Sequence, residues 1–166
     1  SGAANVGIVT CLEDGSCILT GHFHAYAPIS MCGEYLRLPT EKGPLTGPHT
    51  HEEKNIIHWH DKLPYSMSLK SMTETEPLTL QAFFNAIELS FSTTNLGNVK
   101  NGDTCPDGTI GTFTFFVNGT HFDGDPGAFT WKDKAVISIF FDSRTVQEIE
   151  AWLRDNPISF PALGRG

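Results

Sequence analysis

Short segments in which apolar and polar residues alternate make up most of the chain, and turns rich in glycine, proline, asparagine and aspartate separate them. This alternation places apolar side chains on one face of a β-strand and polar side chains on the other. We therefore predict a sheet of mostly antiparallel strands joined by tight turns. The segments predicted to form its strands are 5–20 (a hairpin around Asp14-Gly15), 21–31, 34–38, 54–60, 110–117 and 135–141.

Two segments repeat their apolar residues with the period of a helix instead. The first is predicted to span residues 80–89, with Thr79 as its N-cap, and the second to span about 143–155. Residues 61–76 and 98–109 follow neither period and are predicted to be loops. The apolar side chains that share a helix face are Phe83, Phe84 and Ile87 in the first helix and Val146, Ile149, Trp152 and Leu153 in the second.

These elements predict an α+β fold in which one or two helices pack against a single, mostly antiparallel sheet. A β-sandwich is the alternative for so many strands. A chain of 166 residues has the usual length of one domain with its own core. We predict a single domain, 1–166, with an N-terminal hairpin in 1–20, a histidine-rich sheet core in 21–141 and a C-terminal helix and tail in 142–166.

Composition and charge narrow the range of partners. The chain has 39% hydrophobic and 18% charged residues, which is typical of a globular protein and not of a disordered one. Its 19 acidic and 11 basic residues give a net charge of −8, which argues against a nucleic-acid partner. The longest apolar run, 135–141, is far shorter than the roughly 20 residues of a spanning helix, so we expect no direct membrane insertion.

Cysteine usage indicates the compartment. Cys11, Cys17, Cys32 and Cys105 allow three disulfide pairings, among which the sequence does not choose. A local Cys11–Cys17 bond would close the Asp-Gly hairpin, and Cys32–Cys105 would then join the two halves of the chain. Four reduced thiols in a cytosolic protein are the alternative, but the Cys11–Cys17 spacing is not that of a zinc knuckle. The chain begins SGAANVG without methionine, which fits a mature secreted chain or a cloning remnant. We expect an extracellular, periplasmic or cell-surface location.

Six of the seven histidines occur in three His-x-His pairs within 39 residues. Residues two apart on a strand point to the same face, so each pair in a strand presents two imidazoles together. In the strands of 21–31 and 54–60, the residues between and beside the histidines are apolar and predict a buried opposite face. The candidate metal ligands are His22, His24, His49, His51, His58 and His60.

Paired imidazoles suit a metal ion because their ring nitrogens can converge over the pleat of a strand. Neutral imidazole is a donor for zinc, copper and nickel, and Glu52 or Glu53 could add an oxygen ligand, a partner for a ring N–H or a general base. We favour copper(II), which binds nitrogen-rich sites tightly, with zinc as the alternative ion. An exposed polar face without metal is the alternative interpretation of a single pair. We interpret His121, which follows the Asn118-Gly119 turn, as an ordinary turn residue.

Several motifs in a fixed order resemble a poorly characterised group of secreted or membrane-anchored archaeal and bacterial domains. They are HFH at 22–24, HTHEE at 49–53, IIHWH at 56–60, TLQAFF at 79–84, FVNG at 116–119 and FTWKDKAVISIFF at 129–141. The last of them, an aromatic strand start followed by a charged turn and a strand, is also similar to β-grasp domains. The resemblance implies placement outside the cytoplasm, metal binding and a β-grasp-like C-terminal half, and it implies no reaction.

Three functions are compatible with these patterns. We favour a non-enzymatic metal-binding protein outside the cytoplasm that holds copper, or zinc, as a carrier, scavenger or store. The second is a zinc-dependent hydratase or hydrolase, in which three histidines hold the ion and Glu52 or Glu53 acts as base on its bound water. The third is a surface protein that self-assembles through ions shared between subunits.

Overall fold

A computed structural model describes residues 7–163 of the chain, so positions 5 and 6 of the predicted first hairpin lie outside the described residues. Within this range the chain forms short and medium-length strands and two α-helices. The strands are β1 (Gly7–Cys11), β2 (Cys17–Tyr26), β3 (Ile29–Met31), β4 (Glu34–Leu36), β5 (Gly47–His49), β6 (Ile56–Ser66), β7 (Ser71–Met72), β8 (Phe91–Ser92), β9 (Asn95–Leu96), β10 (Val99–Lys100), β11 (Thr112–Val117), β12 (Thr120–Phe122) and β13 (Ala135–Asp142). The helices are α1 (Leu80–Ala86) and α2 (Val146–Asp155).

One ten-stranded sheet organises the molecule, and its central path runs in the order β12-β11-β13-β2-β6-β5. The remaining strands of this sheet pair at its margins, and β8, β9 and β10 form a separate three-stranded sheet. All pairings are antiparallel except those of β13 with β2 and with β3. A mainly antiparallel sheet with two helices confirms the predicted α+β class, while the β-grasp likeness stays a prediction.

Helix α1 covers the buried face of this sheet and ends earlier than predicted. Thr79 caps its N-terminus, since the Thr79 hydroxyl accepts a hydrogen bond from the Ala82 N–H at 3.2 Å. Phe83 and Phe84 are fully buried in the main core. The helix stops at Ala86 rather than residue 89, because Glu88 takes a left-handed conformation (φ 58°). The Leu89 N–H then donates back to the Phe84 carbonyl, as in a Schellman end.

Helix α2 packs on the opposite side of the sheet, where Ile149 and Leu153 join a smaller cluster with Phe116 and Phe140. It begins at Val146, after the N-cap Thr145, and not at about residue 143 as predicted. A capping box explains the later start, because Thr145 and Glu148 each accept a hydrogen bond from the other's backbone N–H.

The prediction that residues 61–76 form an irregular loop is wrong over 61–66, where β6 continues. These residues pair with the first half of β2, which itself runs unbroken from Cys17 to Tyr26 instead of starting anew at residue 21. Pro64 fits inside the strand because its carbonyl accepts from Thr73 on the side away from β2, so the missing N–H is not needed for the β2 pairing. The alternation of apolar and polar residues did not predict this extension, because Pro64 and two charged residues interrupt the pattern.

Both disulfides of the favoured pairing are present. Cys11–Cys17 closes the β1–β2 hairpin, and Cys32–Cys105 joins the β3–β4 turn to the loop that precedes β11. None of the four cysteines is a free thiol. Two such bonds suggest an oxidising, extracellular environment. No helix of residues 7–163 has the length and apolar character needed to cross a membrane.

Candidate metal centre

Three adjacent strands bring the histidine pairs together. Strand β6 lies between β2 and β5 and pairs antiparallel with both. His58 is opposite His24 on β2 and His49 on β5, so these three residues form one row across the sheet. His60 is opposite His22 in the next row of the same face. His51 lies two residues beyond the end of β5. The six side chains, called the histidine face below, are His22, His24, His49, His51, His58 and His60.

The opposite face of the same strands belongs to the main core, as alternation predicts. Phe23 and Trp59 face each other across β2 and β6, with ring centroids 5.5 Å apart. Ala25 and Ile57 beside them have no exposed surface. Burial of these apolar residues fixes the register of both strands, and a slip by one residue would move them into solvent. The histidines are therefore held on the outer face by the core that lies behind them.

The six rings form a continuous patch. On the β2 side, the ring centroids of His22 and His60 are 4.1 Å apart, and those of His24 and His58 are 4.8 Å apart. Towards β5, the His49 ring lies 5.1 Å from His60 and 5.6 Å from His58, and His51 lies 4.4 Å from His58. Every histidine of the face thus has another within contact distance.

Three of these residues lie within reach of one ion. One ring nitrogen from each of His49, His58 and His60 lies within 4.8 Å of the other two. In this inner triad, His49 and His58 are only 2% and 5% exposed, whereas His60 is half-buried. His22, His24 and His51 share the face but stand outside this group. The sequence therefore predicted all six candidate ligands, and the structure shows that three of them can reach one ion together.

Hydrogen bonds indicate which nitrogen His49 offers to an ion. Its Nδ1 lies 2.9 Å from the Gly47 carbonyl oxygen, which can only accept, so Nδ1 carries the proton. The lone pair is then on Nε2, which lies 3.2 Å from Nε2 of His51. In the metal-free protein the His51 N–H donates to this lone pair, and a bound ion would take the place of that proton.

The other two triad members are oriented in different ways. His58 Nε2 lies 2.7 Å from a carboxylate oxygen of Glu53, which leaves Nδ1 of His58 as its free donor to an ion. A carboxylate that accepts from a ligand's second nitrogen fixes the ring and strengthens it as a donor. His60 Nε2 is buried, and no hydrogen-bond partner for it is found among residues 7–163. An unsatisfied buried nitrogen costs free energy, which an ion at this position would recover.

The loop before β5 holds His49 in place through a close backbone contact. A Cβ atom at Gly43 would lie 2.7 Å from the Pro48 carbonyl oxygen and 3.0 Å from the His49 Cα, and Gly43 has a φ of +90°. Only glycine fits there without moving the strand. The Thr50 N–H also donates to the Lys42 carbonyl at 2.8 Å. This Gly/Pro-rich segment therefore brings its histidine pair to β6.

Asn55 anchors the start of β6 and was missed at the sequence level. Its side chain is buried, accepts from the Leu38 N–H at 2.7 Å and donates to the carbonyls of Ala27 and Leu36, both at 2.9 Å. Asn55 itself takes a left-handed conformation (φ 57°), which asparagine tolerates better than most residues. No periodicity reveals such a residue, because its three partners are distant in sequence.

Of the acidic residues near the histidine face, Glu53 and Glu41 approach a histidine and Glu52 does not. Glu53 contacts His58 as predicted for one of the two candidates, whereas Glu52 is exposed and only its backbone carbonyl is used, by Arg37 at 2.7 Å. Glu41, not singled out from the sequence, places a carboxylate oxygen 3.8 Å from Nδ1 of His51. His121 lies apart from the face, against the Phe116 ring. It is a strand residue of β12 and not the turn residue that was predicted, because β12 begins at Thr120, directly after the Asn118-Gly119 turn.

Burial favours the neutral form of four of these imidazoles at neutral pH. Desolvation lowers the pKa of His58 and of His60 to about 4, and the Glu53 carboxylate offsets only part of the effect on His58. Desolvation also lowers the pKa of His49 and of His24. A neutral imidazole has the free lone pair that a metal needs. These four imidazoles, which include the whole inner triad, are therefore already in the protonation state that binds an ion.

These shifts predict a pH dependence of stability in the metal-free protein. Between the ordinary histidine pKa of 6.5 and about 4, the unfolded chain binds protons at His58 and His60 while the folded protein does not. The free energy of unfolding should therefore fall as the pH drops through this window, by up to about 1.4 kcal/mol per pH unit for the buried His58 and by less for the more exposed His60. Urea unfolding at several pH values measures it. A His58→Gln/His60→Gln variant should show a shallower slope, and an unchanged slope would contradict the assignment.

The chain matches no protein-family model, and no similar curated protein or solved structure is found for it. The resemblance set out from its motifs therefore stays a prediction. Two cavities, of about 380 and 270 Å³, lie elsewhere on the protein and are lined by other residues than the histidine face. The ion-binding geometry of the inner triad is the most specific chemical feature of the described residues.

Proposed function

We propose that the protein is an extracytoplasmic metal-binding protein that holds a divalent ion on His49, His58 and His60. The observation that carries this proposal is the convergence of their three ring nitrogens within 4.8 Å on the outer face of a rigid sheet. The orphaned Nε2 of His60 and the hydrogen-bonded tautomer of His49 support it independently. Copper(II) is the favoured ion and zinc the alternative, with a role as carrier, scavenger or store.

The donor set supports a divalent ion rather than copper(I). All four cysteines are in disulfides, so no thiolate among the described residues is free to act as a soft ligand. Imidazole nitrogen and nearby carboxylate oxygen suit copper(II) and zinc, and copper(II) forms the stronger complexes with nitrogen donors. The two disulfides favour an oxidising compartment, in which copper is stable in its divalent state.

One observation favours the zinc-enzyme alternative, namely the carboxylate of Glu53 beside a triad histidine. Its oxygen already accepts from His58 at 2.7 Å, which makes it an orienting partner of that ring rather than a base directed at bound water. We therefore favour binding over catalysis.

Titration of the tag-free, metal-free protein with copper(II) and with zinc tests this proposal. We expect at least one ion to bind tightly, with copper(II) displacing zinc. Electron paramagnetic resonance of the copper(II) form should show coupling to several imidazole nitrogens. A protein that takes up neither ion, or whose copper signal lacks nitrogen coupling, would contradict the proposal. A bound ion whose exchangeable water opens into a substrate pocket would instead favour the enzyme alternative.

A further inference from the structure

The inner triad leaves two histidines on β2 unused. His22 is exposed and His24 is half-buried, and their ring centroids are 4.7 Å apart. They sit two residues apart on the same pleat, so both imidazoles project from the same face. The backbone N–H of His24 donates to the Asp133 carboxylate at 2.9 Å, which places an anionic side chain beside the pair. We call His22 and His24 the outer pair.

We propose that the outer pair is a second, solvent-facing metal site through which the inner triad gains and releases its ion. This inference rests on the proposed function, because it assigns a role to the neighbours of that same site. Two imidazoles and the nearby negative charge attract a divalent cation without enclosing it. Water or a donor from another molecule fills the remaining coordination positions.

Contacts between the two sets of histidines support direct transfer. His22 lies opposite His60 with ring centroids 4.1 Å apart, and His24 lies opposite His58 with centroids 4.8 Å apart. Two of the three inner ligands thus each touch one outer histidine. An ion can exchange one imidazole at a time between the sets and keep nitrogen ligands throughout. Such stepwise exchange avoids a bare ion, whose formation would be the slow step from a buried three-ligand site.

The inner triad and the outer pair differ in solvent exposure, and this difference determines their roles in ion binding. The inner ligands His49 and His58 are almost fully buried, so a competing chelator cannot reach them directly. His22 is open to solvent and a chelator can bind an ion there while the protein still holds it. The net charge of −8 also raises the local concentration of cations at the surface. The inner triad therefore sets the affinity, and the outer pair sets the rate of exchange.

A His22→Ala/His24→Ala variant tests the outer pair, with His121→Ala as the matched control because His121 lies outside the face. Native mass spectrometry with copper(II) should count two ions on the wild type and on the control, and one on the variant. Stopped-flow transfer of the inner ion to ethylenediaminetetraacetate should slow by roughly tenfold or more in the variant, because the intramolecular route is lost. Uptake should slow by the same factor, so the dissociation constant of the inner ion should change far less than either rate.

Separate outcomes identify which idea fails. If the wild type binds no ion, the proposed function is wrong and the outer pair has nothing to exchange. If one ion binds the inner triad and the variant exchanges it as fast as the wild type, only this inference is overturned. If copper(II) makes the wild type dimerise in sedimentation experiments but leaves the variant monomeric, the outer pair bridges two copies, and an exchange role is likewise overturned.

Discussion

Replacing His58 and His60 together with alanine should abolish tight binding of copper(II) and zinc. The two residues supply two of the three converging nitrogens, and His49 alone does not hold an ion tightly against water. Only weak, solvent-facing binding at the outer pair should remain. Isothermal titration calorimetry of the metal-free variant should detect no tightly bound ion. In the wild type, an ion at about 100 times its dissociation constant should stabilise the fold by about 2.7 kcal/mol, and the variant should lose this metal-dependent rise in melting temperature.

The His121→Ala variant provides the control, since it removes one histidine from β12 and leaves the face intact. It should bind the ion as the wild type does and gain the same stability from it. Because the double substitution removes half-buried and buried side chains, circular dichroism must first show that the variant folds. A folded His58→Ala/His60→Ala protein with unchanged metal content would disprove the assignment of the inner triad.

The histidine face was predictable because it depends on a local rule. In β2 and β6 the histidines alternate with Phe23, Ala25, Ile57 and Trp59, and the burial of this apolar set decides which way the imidazoles point. Neither the order of strands nor any long-range contact is needed for that conclusion. The N-cap at Thr79 and the turn at Asn118-Gly119 follow from equally local chemistry, and the structure has both.

The composition of the inner triad was not predictable, because it depends on which strands are neighbours. His49 joins His58 and His60 only because β5 pairs with β6, and the Gly43 contact that helps to hold β5 there is tertiary. The anchoring role of Asn55 also arises from partners far along the chain. Hydrophobic periodicity contains no information about such pairings, and it therefore treats all six histidines alike.

The length of β6 also depends on tertiary pairing that the local sequence does not reveal. Pro64 signals a loop when only the local sequence is considered. The strand nevertheless continues through it, because the position where proline lacks an N–H faces away from β2. The extended β2–β6 ladder is the rigid support of the face, since it carries four of the six histidines. Strand-breaking residues alone therefore predict a shorter β2–β6 ladder, and a weaker support for the histidines, than the structure has.

Removing the Cys32–Cys105 disulfide should cost far more stability than removing Cys11–Cys17. The first bond spans 73 residues and ties the β3–β4 turn to the loop before β11, whereas the second spans 6 residues at the end of a hairpin. Loop entropy in the unfolded chain predicts losses of about 4 and about 2 kcal/mol respectively. Urea unfolding of Cys32→Ala/Cys105→Ala and Cys11→Ala/Cys17→Ala variants, both metal-free, measures the two values.

The hairpin variant serves as the matched control, because it removes the same chemical group where the loop is short. The long-range bond also lies at the core, with Cys105 only 5% exposed, so its loss adds the cost of a cavity to the entropy term. Strand β2 runs from Cys17 of the hairpin bond to His22 and His24 of the histidine face. Equal losses for the two variants would show that the unfolded chain is already compact around Cys32 and Cys105, and that loop length does not govern its stability.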